Sequence, residues 1–184
     1  MGNLGSDGKP FSQPETERLE RALVSLYRQL PEVAPDALNI KLLQTWHHQL
    51  ADGMERMQAG QLRSADITFG SYFDTAPNQI EIELSVMIFK HLEHLPLLSE
   101  ATETLEHATW LHAEIIRIHP FWDGNGRLAR AVQTWLCWRS GQRAPQYPVR
   151  TAYLGGLNRY HNTRNLDLLM DVTLSSLRTQ SQQF

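Results

Sequence analysis

Apolar residues return every three or four positions along almost the whole chain, and that spacing confines it to packed amphipathic helices. Leu19, Leu23, Leu26, Tyr27 and Leu30 share one helical face. Ser12-Gln-Pro-Glu15 ahead of them is a capping-box start, so a helix is expected from about residue 14 to 30, stopped by Pro31. Leu38, Leu42, Leu43, Trp46 and Leu50 predict a second, ending near Asp52 and Gly53. Leu105, Ala108, Leu111, Ile115 and Ile118 predict a long one that Ser99 is suited to cap. Leu128, Val132, Trp135 and Leu136, with apolar neighbours on most sides, describe a buried central helix ending near Gly141. Tyr153, Leu154, Leu157 and Tyr160, then Leu166, Leu169, Met170, Val172, Leu174 and Leu177, supply two more.

Two stretches depart from this spacing. Between Arg63 and Pro77, Ile67 and Phe69 alternate with polar neighbours, and Gly70, Pro77 and Asn78 punctuate the segment, which predicts a short hairpin or flap. Residues 79–84 alternate like a strand yet run into Val86-Met-Ile-Phe-Lys-His-Leu92, which reads as helix; the spacing leaves 79–84 open. The expected architecture is all-α, a helical bundle with one small β-hairpin flap. Residues 1–13 are expected to be a flexible tail and 14–184 a single domain.

Composition limits what such a bundle does. A formal net charge of −3 supplies no general field for a polyanion, so no nucleic-acid partner is expected and any phosphate site must be local. The longest apolar runs, such as Val86-Met-Ile-Phe89, fall far short of the ~18 residues that cross a bilayer, so no membrane span is expected. Cys137 is the only cysteine, which forbids an internal disulfide and points to a reducing, cytoplasmic compartment. Met1-Gly-Asn-Leu-Gly-Ser6 matches a minimal myristoylation pattern at Gly2, against the plainer reading of a Gly-rich start.

Residues 119–130, His119-Pro-Phe-Trp-Asp-Gly-Asn-Gly-Arg-Leu-Ala-Arg130, read as helix end, tight turn and helix start. Pro120 pushes the residue before it out of the α region, so the helix should end at His119 and leave its imidazole on a loop. Gly124 and Gly126 flank Asn125 and allow the positive φ or close approach that makes a nest of N–H groups, a phosphate site at a helix start. Arg127 and Arg130 lie in the first turn of the next helix, where the macrodipole disfavours cations by ~0.3–1 kcal/mol each, so an anion is expected there. Their spacing puts both guanidiniums on one side. Asp123 could hold Mg²⁺ carried by phosphates. His119, with an ordinary pKa of about 6.5, could serve as a base. Each residue alone has a plainer reading: Phe121 as a core anchor, the glycines as a turn, His119 as a satisfied loop histidine. Their contiguity favours function.

The segment resembles the defining motif of the Fic family, His-Pro-Phe-x-Asp/Glu-Gly-Asn-Gly-Arg-x-x-Arg, at every specified position. Upstream, Leu43-Gln-Thr-Trp-His47, Ala59-Gly-Gln-Leu-Arg63 and Ile67-Thr-Phe69 resemble the family's helix, Gly-x-x-Arg turn and flap, so the resemblance covers about residues 38–175. It implies a Fic-type bundle and a protein adenylyltransferase that moves AMP from ATP to a Ser, Thr or Tyr hydroxyl of a target protein, releasing pyrophosphate. By position it implies His119 as the general base, Asp123 as the Mg²⁺ ligand, and Gly124, Asn125 and Gly126 as the cradle of the α- and β-phosphates. Arg127 and Arg130 would neutralise the β- and γ-phosphates, Phe121 would lock the loop into the core, and Ile67, Thr68 and Phe69 would dock a target segment by strand addition.

The resemblance also raises regulation, because many members resemble a self-inhibited design in which a Ser/Thr-x-x-x-Glu-Gly/Asn helix aims its glutamate at the second motif arginine, here Arg130. No glutamate follows Glu114, and Thr16-Glu-Arg-Leu-Glu20 has the spacing but Arg21 in place of Gly or Asn. Glu20 is therefore expected to be a solvated helix residue. Two options remain: a separate antitoxin-like protein that supplies the glutamate, or an unrestrained effector, cytoplasmic in a bacterium or delivered into a host cytosol. Among other chemistries, the kinase-like branch of the family replaces the first glycine of the turn, which Gly124 retains. UTP or GTP donors stay open because no base-contacting residue is identifiable. A silent nucleotide- or partner-binding module is opposed by the intact His119. A zinc site at His91-Leu-Glu-His94 lacks a third ligand.

Overall fold

Ser12 opens the first helix as its sequence predicts: its N–H and hydroxyl both donate to Glu15 Oε2, at 2.7 and 2.8 Å. This is seen in a computed structural model that describes residues 9–69, 72–73 and 75–181. Helix α1 (Gln13–Gln29) buries Leu19 and Leu26 and leaves through a short 3₁₀ turn around Pro31. Asn39 caps α2 (Ile40–Ala51) by accepting the Leu42 N–H at 2.8 Å, and Leu43, Trp46, His47 and Leu50 face inward. Of the expected tail, residues 1–8, including Gly2 and Ser6, lie outside the described residues, whereas Phe11 packs on a small cluster of Leu19, Ala51, Met54 and Met57.

Residues 79–84, left open by their alternation, belong to helix α3 (Ile80–His94) from Ile80 onward. Ile80, Leu84, Met87, Ile88 and His91 form its buried face, while Ile82, Val86 and Phe89 are exposed. The apparent alternation arose because apolar residues occupy both faces. Helix α4 (Ala101–Ile118) corrects a second expectation: its N-cap is Glu100, not Ser99. Glu103 reaches back to the N–H of both Ser99 and Glu100, at 2.9 and 3.0 Å, so the capping box forms one residue later than the serine suggested.

Helix α5 (Asn125–Arg139) packs along α4, buried on nearly every side through Leu128, Val132 and Trp135. Trp135 meets Trp46 edge-on at 5.4 Å, and its indole N–H donates to the Val33 carbonyl at 2.9 Å. This arrangement satisfies the one polar atom of a side chain whose burial contributes several kcal/mol. Helices α6 (Arg150–Thr163) and α7 (Asp167–Ser181) form a second layer over Ala113, with Tyr153, Leu157, Tyr160 and Leu169 buried between. Gly156 permits their contact, since a Cβ there would lie 2.9 Å from Leu169 Cα. Strands β1 (Thr68–Phe69) and β2 (Tyr72–Phe73) pair antiparallel, Thr68 opposite Phe73. No helix among the described residues is long and apolar enough to cross a membrane.

Candidate functional site

The end of α4 and the start of α5 face each other across six residues, and three side chains hold that turn. His119 is the C-cap of α4, with φ 50° and ψ 58° and its N–H bonded to the Ile115 carbonyl at 2.9 Å. An extended conformation is the usual outcome before proline; here the left-handed one is adopted instead, and it completes the helix end. Arg63 then clasps the turn: Nε donates to the His119 carbonyl at 2.7 Å, and the Arg63 N–H donates to the Pro120 carbonyl at 2.9 Å. Asn125 closes the loop from below, its amide accepting the Phe121 N–H at 3.0 Å and donating to the Phe121 carbonyl at 2.7 Å. The Asn125 side chain is thus spent on the loop itself, and only its backbone N–H is left for a ligand at the helix start.

Phe121 is fully buried and lies flat on His47, ring centroids 3.8 Å apart and planes within 5°. His47 Nδ1 accepts the Gly60 N–H at 3.0 Å, so Nε2 carries the proton and donates to the Asp123 carbonyl at 2.8 Å. Burial pushes its pKa down to about 4, in keeping with the neutral ring those bonds require. Gly124 sits against this ring at φ +82°, where a Cβ would lie 2.7 Å from Met57 Cε and 3.1 Å from His47 Nε2. Gly124→Ala is therefore expected to destabilise the protein by about 1–3 kcal/mol, from left-handed strain plus displacement of His47. Urea denaturation measures this; an unchanged midpoint would mean that the turn has room the geometry denies.

The imidazole of His119 is nearly covered, at 7% exposure. Its Nδ1 lies 3.3 Å from the Ile116 carbonyl, which can only accept, so Nδ1 carries the proton and Nε2 is the basic nitrogen. Burial pulls the pKa of His119 from 6.5 down to about 4, against the opposing effect of the Ile116 carbonyl, so the ring is neutral at pH 7. Across the turn, Asp123 Oδ1 accepts the Gly124 N–H and lies 4.0 Å from Arg127 Nη1. Arg127 is also largely covered, its Nη1 3.8 Å from Met57 sulfur and its guanidinium over the Phe11 ring at 4.9 Å. Burial holds its pKa below the ordinary value, with Asp123 opposing. Arg130 has different neighbours: it is exposed, and its Nη1 would lie 3.4 Å from a Cβ placed at Gly126.

His119, Asp123, Gly124, Gly126, Arg127 and Arg130 come together around one helix N-terminus; the strand pair of residues 68–69 and 72–73 joins them through Arg63, which bonds the carbonyls of Ala65 and Thr75 on either side of it. Spacing alone missed His47, whose neighbour His48 is exposed. The His91–His94 pair holds another place: His91 bonds His107 at 2.9 Å and the Pro35 carbonyl at 2.8 Å, and no cluster of three metal-ligating side chains occurs among the described residues.

The Fic/DOC family model matches residues 37–137, more than half of the chain. The chain belongs to the Fic/DOC family. Similar proteins include the protein adenylyltransferase fic-1 of Caenorhabditis briggsae, 27% identical over 126 residues that make up 62% of this chain and 24% of that protein. The chain spans about a quarter of the length of the curated relatives it matches. Among solved structures, a Fic domain containing signaling protein from Bacteroides thetaiotaomicron superposes with a TM-score of 0.76 at 18% identity, over 92% of this chain and 71% of that one. The Bartonella tribocorum effector BepC, solved with bound AMPPNP, gives 0.71 at 18% identity over 96% and 92%. These likenesses establish the Fic fold for this domain.

Proposed function

We propose that this Fic domain is a protein adenylyltransferase that moves AMP from ATP to a hydroxyl side chain of a target protein. The observation that carries the reading is the pairing, across one turn, of a buried neutral imidazole at the end of α4 with a glycine-flanked helix start that carries two arginines. The relatives named as adenylyltransferases and the AMPPNP bound to BepC support it.

In this reading His119 Nε2 takes the proton of the target hydroxyl as its oxygen attacks the α-phosphorus. The oxygen–phosphorus bond forms, the bond from the α-phosphorus to the bridging oxygen breaks, and pyrophosphate leaves with that bond's electron pair. The N–H groups of Asn125 and Gly126, which lack intrahelical acceptors at the start of α5, meet the α- and β-phosphates. Arg127 and Arg130 offset the charge of the β- and γ-phosphates and of the leaving group. Asp123 suits Mg²⁺, which a single carboxylate and substrate phosphates commonly share; the ion would neutralise phosphate charge. Backbone pairing with Ile67, Thr68 and Phe69, the last two of which form β1, would align the target segment. Glu20 is exposed beside Glu17 and Arg28 on α1, which argues against restraint by this residue and leaves a separate glutamate-bearing protein or an unrestrained enzyme as the two readings.

The test is incubation of the protein with Mg²⁺, a cell lysate and α-³²P-labelled ATP, UTP or GTP. Label is expected on protein from α-labelled ATP and not from γ-labelled ATP. Transfer of the γ-label would make the domain a kinase, transfer from UTP or GTP alone would change the donor, and no transfer from any would make it a binding module.

A further inference from the structure

Phe11, in the segment ahead of α1, meets two cations. Its ring centroid is 4.9 Å from the guanidinium carbon of Arg127 and 4.0 Å from that of Arg56, which lies in the 3₁₀ turn Glu55–Met57. Both distances fall within the ~6 Å over which the electron-rich face of an aromatic ring attracts a cation. The ring is itself held from several sides. It packs on Leu19, Ala51, Met54 and Met57, and Arg56 Nη2 pairs with Glu15 Oε1 at 3.5 Å. Glu15 Oε2 closes the capping box of α1, so one carboxylate ties the start of that helix to the turn that carries Arg56. Arg56 and Arg127 repel each other, and the ring they share favours both charges.

Arg127 needs such a hold. Its side chain is 11% exposed, yet the polar contacts it makes are weak: the Met57 sulfur, a poor acceptor, at 3.8 Å and the Asp123 carboxylate at 4.0 Å. A tight carboxylate clamp would fix the guanidinium by engaging its N–H groups, which lie in the plane of the group and are the donors that a phosphate requires. An aromatic ring holds the same group through its flat face and leaves those donors in place. Leucine at position 11 would serve the apolar cluster as well. What the ring adds is the hold on the cation.

We infer that Phe11 is a positioning residue that fixes the plane of Arg127 so that its in-plane N–H groups meet the terminal phosphates of the nucleotide. The inference rests on the adenylyltransferase reading given above for its chemical meaning. The ring contact itself is independent of that reading.

Phenylalanines bearing one, two and three fluorines, placed at position 11, withdraw electrons from the ring face while size and apolarity barely change. The kcat/KM for transfer from ATP is expected to fall stepwise, to roughly a fifth with three fluorines, and at least as far in Phe11→Leu, within the worth of a partly buried cation–π contact. In an Arg127→Ala background neither change should cost anything further, because the ring acts through the arginine. In parallel, the guanidinium signals of ¹⁵N-arginine, with that of Arg127 assigned by its loss in Arg127→Ala, should carry a ring-current shift in the wild type that vanishes in Phe11→Leu. An Arg127 signal that ignores Phe11→Leu overturns the contact. Activity that stays flat across the fluorinated series, or losses that multiply in the Arg127→Ala background, overturn the positioning role. A wild type that transfers nothing from ATP overturns the adenylyltransferase reading and the positioning role with it, and the guanidinium signals still decide the contact.

Discussion

His119→Ala should lower AMP transfer by about 10³-fold, within the 10²–10⁴ range of a positioned general base, while ATP binding persists. The imidazole is buried at 7% exposure, with Nδ1 committed to the Ile116 carbonyl, so Nε2 is the one nitrogen able to take a proton. Alanine disfavours the left-handed backbone of this position, so His119→Asn serves as the control. Asparagine tolerates that conformation yet supplies no base, and it should be equally inactive with the fold intact. Transfer that survives either substitution would remove His119 from the chemistry. The lowered pKa gives the pH dependence its sign. Because the ring stays unprotonated down to about pH 4, wild-type transfer should persist at pH 6, where an ordinary histidine would be mostly charged. The same burial acts on stability. His47 and His119 have folded-state pKa values near 4, so the stability they contribute is complete above 6.5 and is lost as the pH falls from 6.5 through 4. Activity must therefore be read beside a folding signal at the acid end.

Arg63→Ala should cost about 3–5 kcal/mol of folding stability, near the upper limit for a single substitution. The side chain is 2% exposed. Its guanidinium donates to the carbonyls of His119 at 2.7 Å, Ala65 at 3.0 Å, Ile118 at 3.4 Å and Thr75. Two of these are terminal carbonyls of α4, which have no partner within the helix, and a cation at that end also suits the helix dipole. Truncation strands several carbonyls at once in a place with little access to water. Arg63→Lys should recover only a small part, because a single ammonium cannot reach acceptors spread around a planar fork. Chemical denaturation of both variants gives the comparison. A loss under about 1 kcal/mol in Arg63→Ala would mean that the loop closes without it.

The sequence by itself determined the helices and the existence of the turn. Helical hydrogen bonds join residues four apart, so the spacing of Leu19, Leu26 and Leu30, or of Leu128, Val132 and Trp135, carries the needed information locally. The break after α4 was legible for the same reason, since Pro120 acts on the residue beside it. Tertiary structure decided everything that depended on distant partners. Whether residues 80–84 were strand or helix turned on which of two apolar faces found a core. His119 took the left-handed rather than the extended conformation where Ile115 and Arg63 could bond its backbone. His47 reaches Asp123 across 76 positions, Arg63 reaches His119 across 56 and His112 reaches Tyr153 across 41. No period in the chain encodes those separations, because each pair meets only after the helices have packed and excluded water.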